Sequence, residues 1–232
     1  MQQLQEAGIH YGYARTRRHP TAAPFLYGTK ERSDIFDLAQ TATRLEAAKQ
    51  FAGALAGQGK TLLFVGGKNE ALAIVREQAE KLGMPFVAGR WIGGTLTNFK
   101  NIQKRIARLE KLLADRESGE LEKKYTKKEQ VILGREIDNL IARFGGITQM
   151  KDLPAALFVI DPRHEDTAVK EANQLKIPVV ALASSDCDFA KVQYPIPGND
   201  TSIKSIRFIA STIANAYADG RRAPAAAPAP QK

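Results

Sequence analysis

The chain holds a single cysteine, Cys187, among 232 residues. One thiol closes no internal disulfide, which excludes a disulfide-stapled secreted framework and agrees with a reducing compartment, read here as the cytoplasm. Histidine is almost as scarce. His10, His19 and His164 stand far from one another and from Cys187, so the ligand spacing of a structural zinc site is missing, and neither a metal nor a cofactor is expected. No stretch approaches the ~20 apolar residues of a membrane span, and the N-terminus lacks an apolar signal-peptide core, so no membrane partner is expected. No Gly-x-Ser-x-Gly elbow supports Ser/His/Asp catalysis.

What the chain does have is positive charge. Lys and Arg number 34 against 25 Asp and Glu, a net +9, which favours a polyanion as partner, most simply nucleic acid. A hydrophobic content of 44% is enough for a real core in one α/β domain with an insertion.

Residues 1–40 read as a basic N-terminal arm followed by a short hairpin of Phe25 to Tyr27 and Ile35 to Leu38. Up to residue 32, Arg15, Arg17, Arg18, Lys30 and Arg32 stand against two acids, with Tyr11, Tyr13 and two histidines interleaved, a mixture suited to phosphates and bases. Residues 41–94 read as the first half of an α/β domain: an amphipathic helix Thr41 to Leu55, a buried strand Thr61 to Val65, a helix Asn69 to Leu82 closed by Gly83, and a strand Pro85 to Ala88. Strand, helix, strand implies parallel pairing through a right-handed crossover.

Residues 95–150 read as an inserted antiparallel helical hairpin, a coiled coil. Ile102, Ile106, Leu109, Leu112 and Leu113 fall on one face, and Leu133, Ile137, Leu140, Ile141 and Phe144 on another. Thr126 to Glu129 has capping-box form, and Gly145-Gly146 ends the return helix. Ten basic and five acidic residues between Lys100 and Lys128 make its outside basic. Residues 151–217 supply the second half: strand Ala155 to Ile160, helix Arg163 to Leu175 capped by Asp161, strands Pro178 to Ala183 and Val192 to Ile196, and helix Ser202 to Tyr217 capped by Asn199 or Asp200. Residues 218–232, rich in Ala and Pro, are expected to be disordered when free. The expected fold is a doubly wound, mainly parallel α/β sheet flanked by helices, with the hairpin inserted between its halves.

Gly89 to Phe99 is the junction between the first half and the insertion. Gly93 and Gly94 allow close backbone approach, Thr95 and Asn98 stand at a helix start, and Arg90 and Trp91 offer a charge and a stacking plane. Exposed amides at that helix start beside an arginine suit a phosphate, and a tight turn around a packed tryptophan is the other reading. Gly66-Gly67-Lys68 invites a nucleotide, but Asn69 follows the lysine and the next strand ends without an acid, so a tight turn is preferred. Asp161, Asp186, Asp188 and Asp200 follow strands or precede helices, where α/β enzymes keep Mg²⁺ for phosphoryl transfer. That is the competing, enzymatic reading, and no base or nucleophile accompanies it.

Arg90-Trp91-Ile92-Gly93-Gly94-Thr95-Leu96-Thr97-Asn98-Phe99 resembles the signature of a bacterial small-subunit ribosomal protein, the S-two family. So do Ala7 to Gly12, Thr16-Arg17-Arg18, Leu63 to Gly66, Gly145-Gly146-Ile147, Phe158 to Asp161, Val169 to Asn173 and Tyr194 to Asp200, in order and spacing. Tyr13-Ala14 stands where the family reads histidine and glutamine, and Ser184 to Phe189 where it reads Asp-Thr-Asn-Cys-Asp-Pro. The resemblance implies a structural, non-enzymatic protein of the small ribosomal subunit, contacting small-subunit ribosomal RNA and neighbouring proteins and helping to seat ribosomal protein S-one. It is expected to be ribosome-associated, with no small-molecule substrate and no homo-oligomer. The expected RNA contacts are Arg15, Arg17, Arg18, Arg90, Lys104, Arg105 and Arg108 at phosphates, with Trp91, Gly93, Gly94, Thr95 and Asn98 fixing the approach.

Overall fold

Three apolar runs, Leu62–Val65 (β4), Ala156–Ile160 (β6) and Val179–Ala183 (β7), are buried at every residue, as parallel strands covered on both faces must be. They form the centre of a five-stranded parallel sheet, completed by Phe86–Val87 (β5) and Tyr194–Pro197 (β8), in the order β5-β4-β6-β7-β8. The computed structural model describes residues 1–222. Registers pair Leu62 with Ala156, Leu157 with Val179 and Val180 with Tyr194. From β4 the chain steps outward to β5, then returns to the other side of β4 for β6. The carboxyl ends of β4 and β6 therefore flank a topological switch point, the place where open α/β sheets form a crevice.

Alternate residues of each strand feed two cores, because side chains change face at every step. Leu62, Phe64, Phe158, Ile160 and Val180 pack with helices Leu38–Gly57 (α2), Asn69–Leu82 (α3) and Ile203–Arg222 (α8). Leu63, Val65, Leu157, Val159 and Val179 face the other layer, which holds Trp91 and helices Phe99–Glu117 (α4), Glu120–Lys124 (α5), Lys127–Phe144 (α6) and Asp166–Gln174 (α7). A fully buried side chain of this kind contributes about 1.5–3 kcal/mol.

The inserted segment has three helices, with the short α5 at its turn. Ile102, Ile106, Leu109, Leu112, Ile137, Leu140 and Phe144 are buried, and Arg108 reaches Glu136 across α4 and α6 at 3.2 Å. The apolar seam is continuous with the second core through Phe144, Ile147 and Trp91 rather than consumed within the insertion. Ile141, expected in the seam, is exposed, as are Val131 and Ile132. The Thr126/Glu129 capping box is present.

The N-terminal forty residues form a small sheet that packs on the main domain. After a short helix Gln2–Glu6 (α1), strands Tyr11–Ala14 (β1), Leu26–Lys30 (β2) and Ser33–Phe36 (β3) make an antiparallel sheet in the order β1-β3-β2. Strand β1 was not foreseen, and the hairpin runs to Lys30 and Ser33, because Thr29, Lys30, Ser33 and Asp34 carry no apolar alternation to read. A small third core of Ala22, Phe36, Ala183, Cys187 and Phe189 fastens this sheet to the main one.

Two helix starts differ from expectation, and at a third the structure selects one of the two expected caps. Asp161 has φ 62° and accepts the amides of Arg163 and His164, both at 3.0 Å, so it caps a turn and α7 begins only at Asp166. Before α8 the cap is Asn199, which accepts from Thr201 and Ser202, whereas Asp200 is wholly buried. Asp37 caps α2 at Leu38, ending the expected hairpin strand early. Residues 218–222, expected to be disordered, continue α8, and the rest of the tail lies outside the described residues.

Candidate nucleic-acid interface

The Gly89 to Phe99 junction does bind an anion, and that anion is the chain's own. Glu171, on α7, is 7% exposed, and its carboxylate accepts from Gly94 N at 2.7 Å, Leu96 N at 2.9 Å, Thr97 N at 3.1 Å and Trp91 Nε1 at 3.1 Å. Burial alone raises its pKa, but the donated hydrogen bonds favour the charged form and bring it below the ordinary glutamate value. The phosphate seat expected here is thereby corrected: its amides are occupied. Trp91 is likewise no stacking plane, being 7% exposed within the second core. Thr95 is buried, its hydroxyl donating to Ile92 O at 2.6 Å, while Gly93 and Asn98 remain exposed.

A second charged cluster fills the switch-point crevice. Lys68, from the turn after β4, places Nζ 2.6 Å from Asp161 and 3.0 Å from Asp200, and 3.2 Å from the Tyr13 hydroxyl of the N-terminal sheet. Burial works against the ammonium, but the two carboxylates outweigh it and raise the Lys68 pKa. Asp161 is held below its ordinary value, burial being overcome by Lys68 and the turn amides. Asp200 is pushed up to about 7, by burial and then by Asp161, despite Lys68. Beside them, Gly67 donates to Glu165 Oε1 at 2.8 Å; a Cβ at Gly67 would lie 2.5 Å from that oxygen, so the approach demands glycine. The crevice is thus closed by an internal ion cluster with a tyrosine lid.

The expected contact residues separate into two groups. Arg18 forms a forked pair with Asp34, which is wholly buried, with Nε to Oδ2 at 2.8 Å. Arg17 reaches Asp186 at 3.2 Å, sharing it with Arg163 at 2.7 Å, and Arg108 is paired with Glu136. Arg15, Arg90, Lys104 and Arg105 are exposed and have no acidic partner among the described residues. Sequence reasoning missed Glu171 and Lys68 as organising charges. Glu171 stood in a segment carrying the family resemblance, but nothing in its spacing linked it to Trp91.

The profile of the family described as Ribosomal protein S2 matches residues 4–220. The chain belongs to the ribosomal protein S2 family. It is similar to the small ribosomal subunit protein uS2 of Coprothermobacter proteolyticus, 44% identical over 221 residues, covering 95% of this chain and 82% of the relative. It is also similar to the uS2 protein of Syntrophobacter fumaroxidans, 43% identical over 222 residues, covering 96% and 81%. The family is structural and non-enzymatic. The aspartates of the enzymatic reading have other engagements here: Asp161 and Asp200 grip Lys68, Asp186 takes two arginines, and Asp188 accepts from Ala190 N at 3.1 Å in a turn. Asp161, Cys187 and Asp200 do bring ligand atoms within 4.8 Å of one another, a grouping hidden by their separation in sequence. No helix among the described residues is long and apolar enough to cross a membrane.

Proposed function

We propose that this chain is a non-catalytic RNA-binding component of the small ribosomal subunit, in contact with small-subunit ribosomal RNA and neighbouring ribosomal proteins and ribosome-associated in the cytoplasm. Family membership supports the assembly, and the observation carrying the RNA contact is that four of the expected contact residues, Arg15, Arg90, Lys104 and Arg105, are exposed cations with no acidic partner among the described residues. Their phosphate contacts give affinity through counterion release, and shape gives specificity. Arg17, Arg18 and Arg108 contribute to the same field while holding Asp186, Asp34 and Glu136. Gly93 and Asn98, exposed at the start of α4, lie against the RNA backbone, with Gly94 and Thr95 setting the turn behind them. The insertion 95–150 works as a projecting coiled-coil hairpin between the domain halves 41–94 and 151–217. Help in seating ribosomal protein S-one rests on the family resemblance, and self-association has no part in the role.

The test is sedimentation of a native lysate on a sucrose gradient in Mg²⁺ buffer, repeated after a high-salt wash. Comigration with small subunits that is lost on stripping is the expected result; a chain that stays with free proteins under both conditions sinks the proposal. The variant to compare is Arg15→Ala/Arg90→Ala/Lys104→Ala/Arg105→Ala, which leaves every ion pair of the fold in place. Alanine at Arg18 is a poor probe because it strands the buried Asp34 carboxylate.

A further inference from the structure

The outward face of the small N-terminal sheet has an open shelf with rings and unpaired cations around it. Phe36 and Asp34 of β3 are buried toward the body, at 2% and 0%, so the alternate residues Ile35 and Ser33 face away from it. Cross-strand pairing puts Tyr11, Ile35 and Gly28 in one row and Ala14, Ser33 and Lys30 in the next, all on that outer face. Tyr11 is 52% exposed, and its ring is backed by His10 at 4.0 Å between centroids. Gly28 ends the row with open space where a Cβ would stand. Tyr27, at the irregularity beside it, is 85% exposed, more than any other large hydrophobic residue described.

Charge sets the kind of occupant. Within this sheet and its loops Arg18 is paired by Asp34 and Arg17 by Asp186, but Arg15, Lys30 and Arg32 are exposed and have no acidic partner among the described residues. Arg15 lies next to Arg32, its amide donating to Arg32 O at 2.9 Å. Arg32 sits at φ 70°, so the guanidinium is carried at the hairpin tip against the backbone's preference for Asn or Gly. Exposed rings interleaved with cations around the open position at Gly28 suit unstacked bases on a phosphate backbone better than a protein face, which would want a larger apolar centre.

We infer that the outer face of the β1-β3-β2 sheet is a stacking platform for unpaired RNA bases, with Tyr11 and Tyr27 on the bases and Arg15, Lys30 and Arg32 on the phosphates. This rests on the RNA-binding reading above and adds the surface and the single-stranded character of its ligand.

The experiment uses the full chain reconstituted into small subunits stripped of this protein and carrying 4-thiouridine in their RNA. Irradiation followed by mass spectrometry maps the RNA-linked peptides, and incorporation is titrated for wild type, Gly28→Val and Tyr27→Leu. Gly28→Val covers the shelf at a site with room for it and suits a strand; Tyr27→Leu keeps apolar contact and removes the ring. The expected results are RNA crosslinks within residues 11–32, incorporation about tenfold weaker for each variant, and unchanged thermal unfolding of the free chain. Crosslinks elsewhere in the chain but none in 11–32, with both variants incorporating like wild type, overturn the platform and leave the ribosomal role standing. A protein rather than RNA attached to this segment also overturns it. Failure of the wild-type chain to enter the particle overturns the ribosomal role itself, and the platform with it.

Discussion

Trp91 Nε1 donates to Glu171 Oε1 at 3.1 Å across 80 residues of sequence, and the same carboxylate takes three backbone amides of the turn that follows the tryptophan. This joins the junction before α4 to α7, so the second core is closed by one buried charge.

Glu171→Gln is therefore expected to destabilise the chain by about 2–3 kcal/mol at pH 7, since charge-assisted hydrogen bonds weaken and the amide's NH₂ faces donors. The pH dependence has a definite sign. Because the folded pKa of Glu171 lies below its unfolded value, its contribution is complete above the unfolded value of about 4.5 and is lost as pH falls through the folded one. Urea titrations of wild type and variant from pH 7 to pH 3 should show the gap closing in acid; a constant gap contradicts this account.

Lys68→Met leaves Asp161 and Asp200 facing each other without a cation, and a loss of about 3–5 kcal/mol is expected. Asp200 behaves oppositely to Glu171: its folded pKa, about 7, lies above the unfolded value of 3.8, so its contribution falls as pH rises between them. Without Lys68 the folded value rises further. The variant should accordingly be less impaired at pH 5 than at pH 8 by thermal unfolding, and equal impairment at both would refute the cluster's electrostatic role.

The β2–β3 hairpin turns at Glu31 and Arg32, with φ of 50° and 70°, positions that favour Asn-Gly. Glu31→Asn with Arg32→Gly should stabilise the free chain by about 1 kcal/mol by relieving left-handed backbone strain. If the midpoint of urea unfolding does not rise, the turn is not strained as its angles indicate. The same pair of changes removes Arg32 from the proposed platform, so stability should rise while incorporation weakens.

Cys187 is fully buried, and burial, followed by the nearby Asp161, Asp200 and Asp186, pushes its thiol well above the ordinary range. The folded chain should react with a thiol reagent at least 100-fold more slowly than the urea-unfolded chain at pH 8. Prompt labelling of the folded chain would mean that the small third core opens readily.

The parallel strands of the main sheet and most helices were legible from residues alone, whereas the order of the strands came only with the structure. Buried strands such as Leu62–Val65 are unbroken apolar runs, and Asn69–Leu82 is an amphipathic pattern closed by a left-handed Gly83, so local chemistry and burial agree there. The same held for the capping box at Thr126. Strand β1 and the full hairpin were not legible, since a mostly polar sheet with one outward face gives little periodicity. For the site, sequence marked the cations, and the set Arg15, Arg90, Lys104 and Arg105 stands exposed. It did not tell them apart from Arg17, Arg18 and Arg108, because a salt bridge depends on where an acid 16, 28 or 169 residues away arrives in space. Composition and local pattern determined the fold class and the basic character, and the resemblance of several segments in register pointed to the family. Only the tertiary structure decided that the anion at the glycine-rich turn is Glu171 and that Lys68 closes the crevice. Charges pair over a few ångströms, and those distances exist only after the chain has packed.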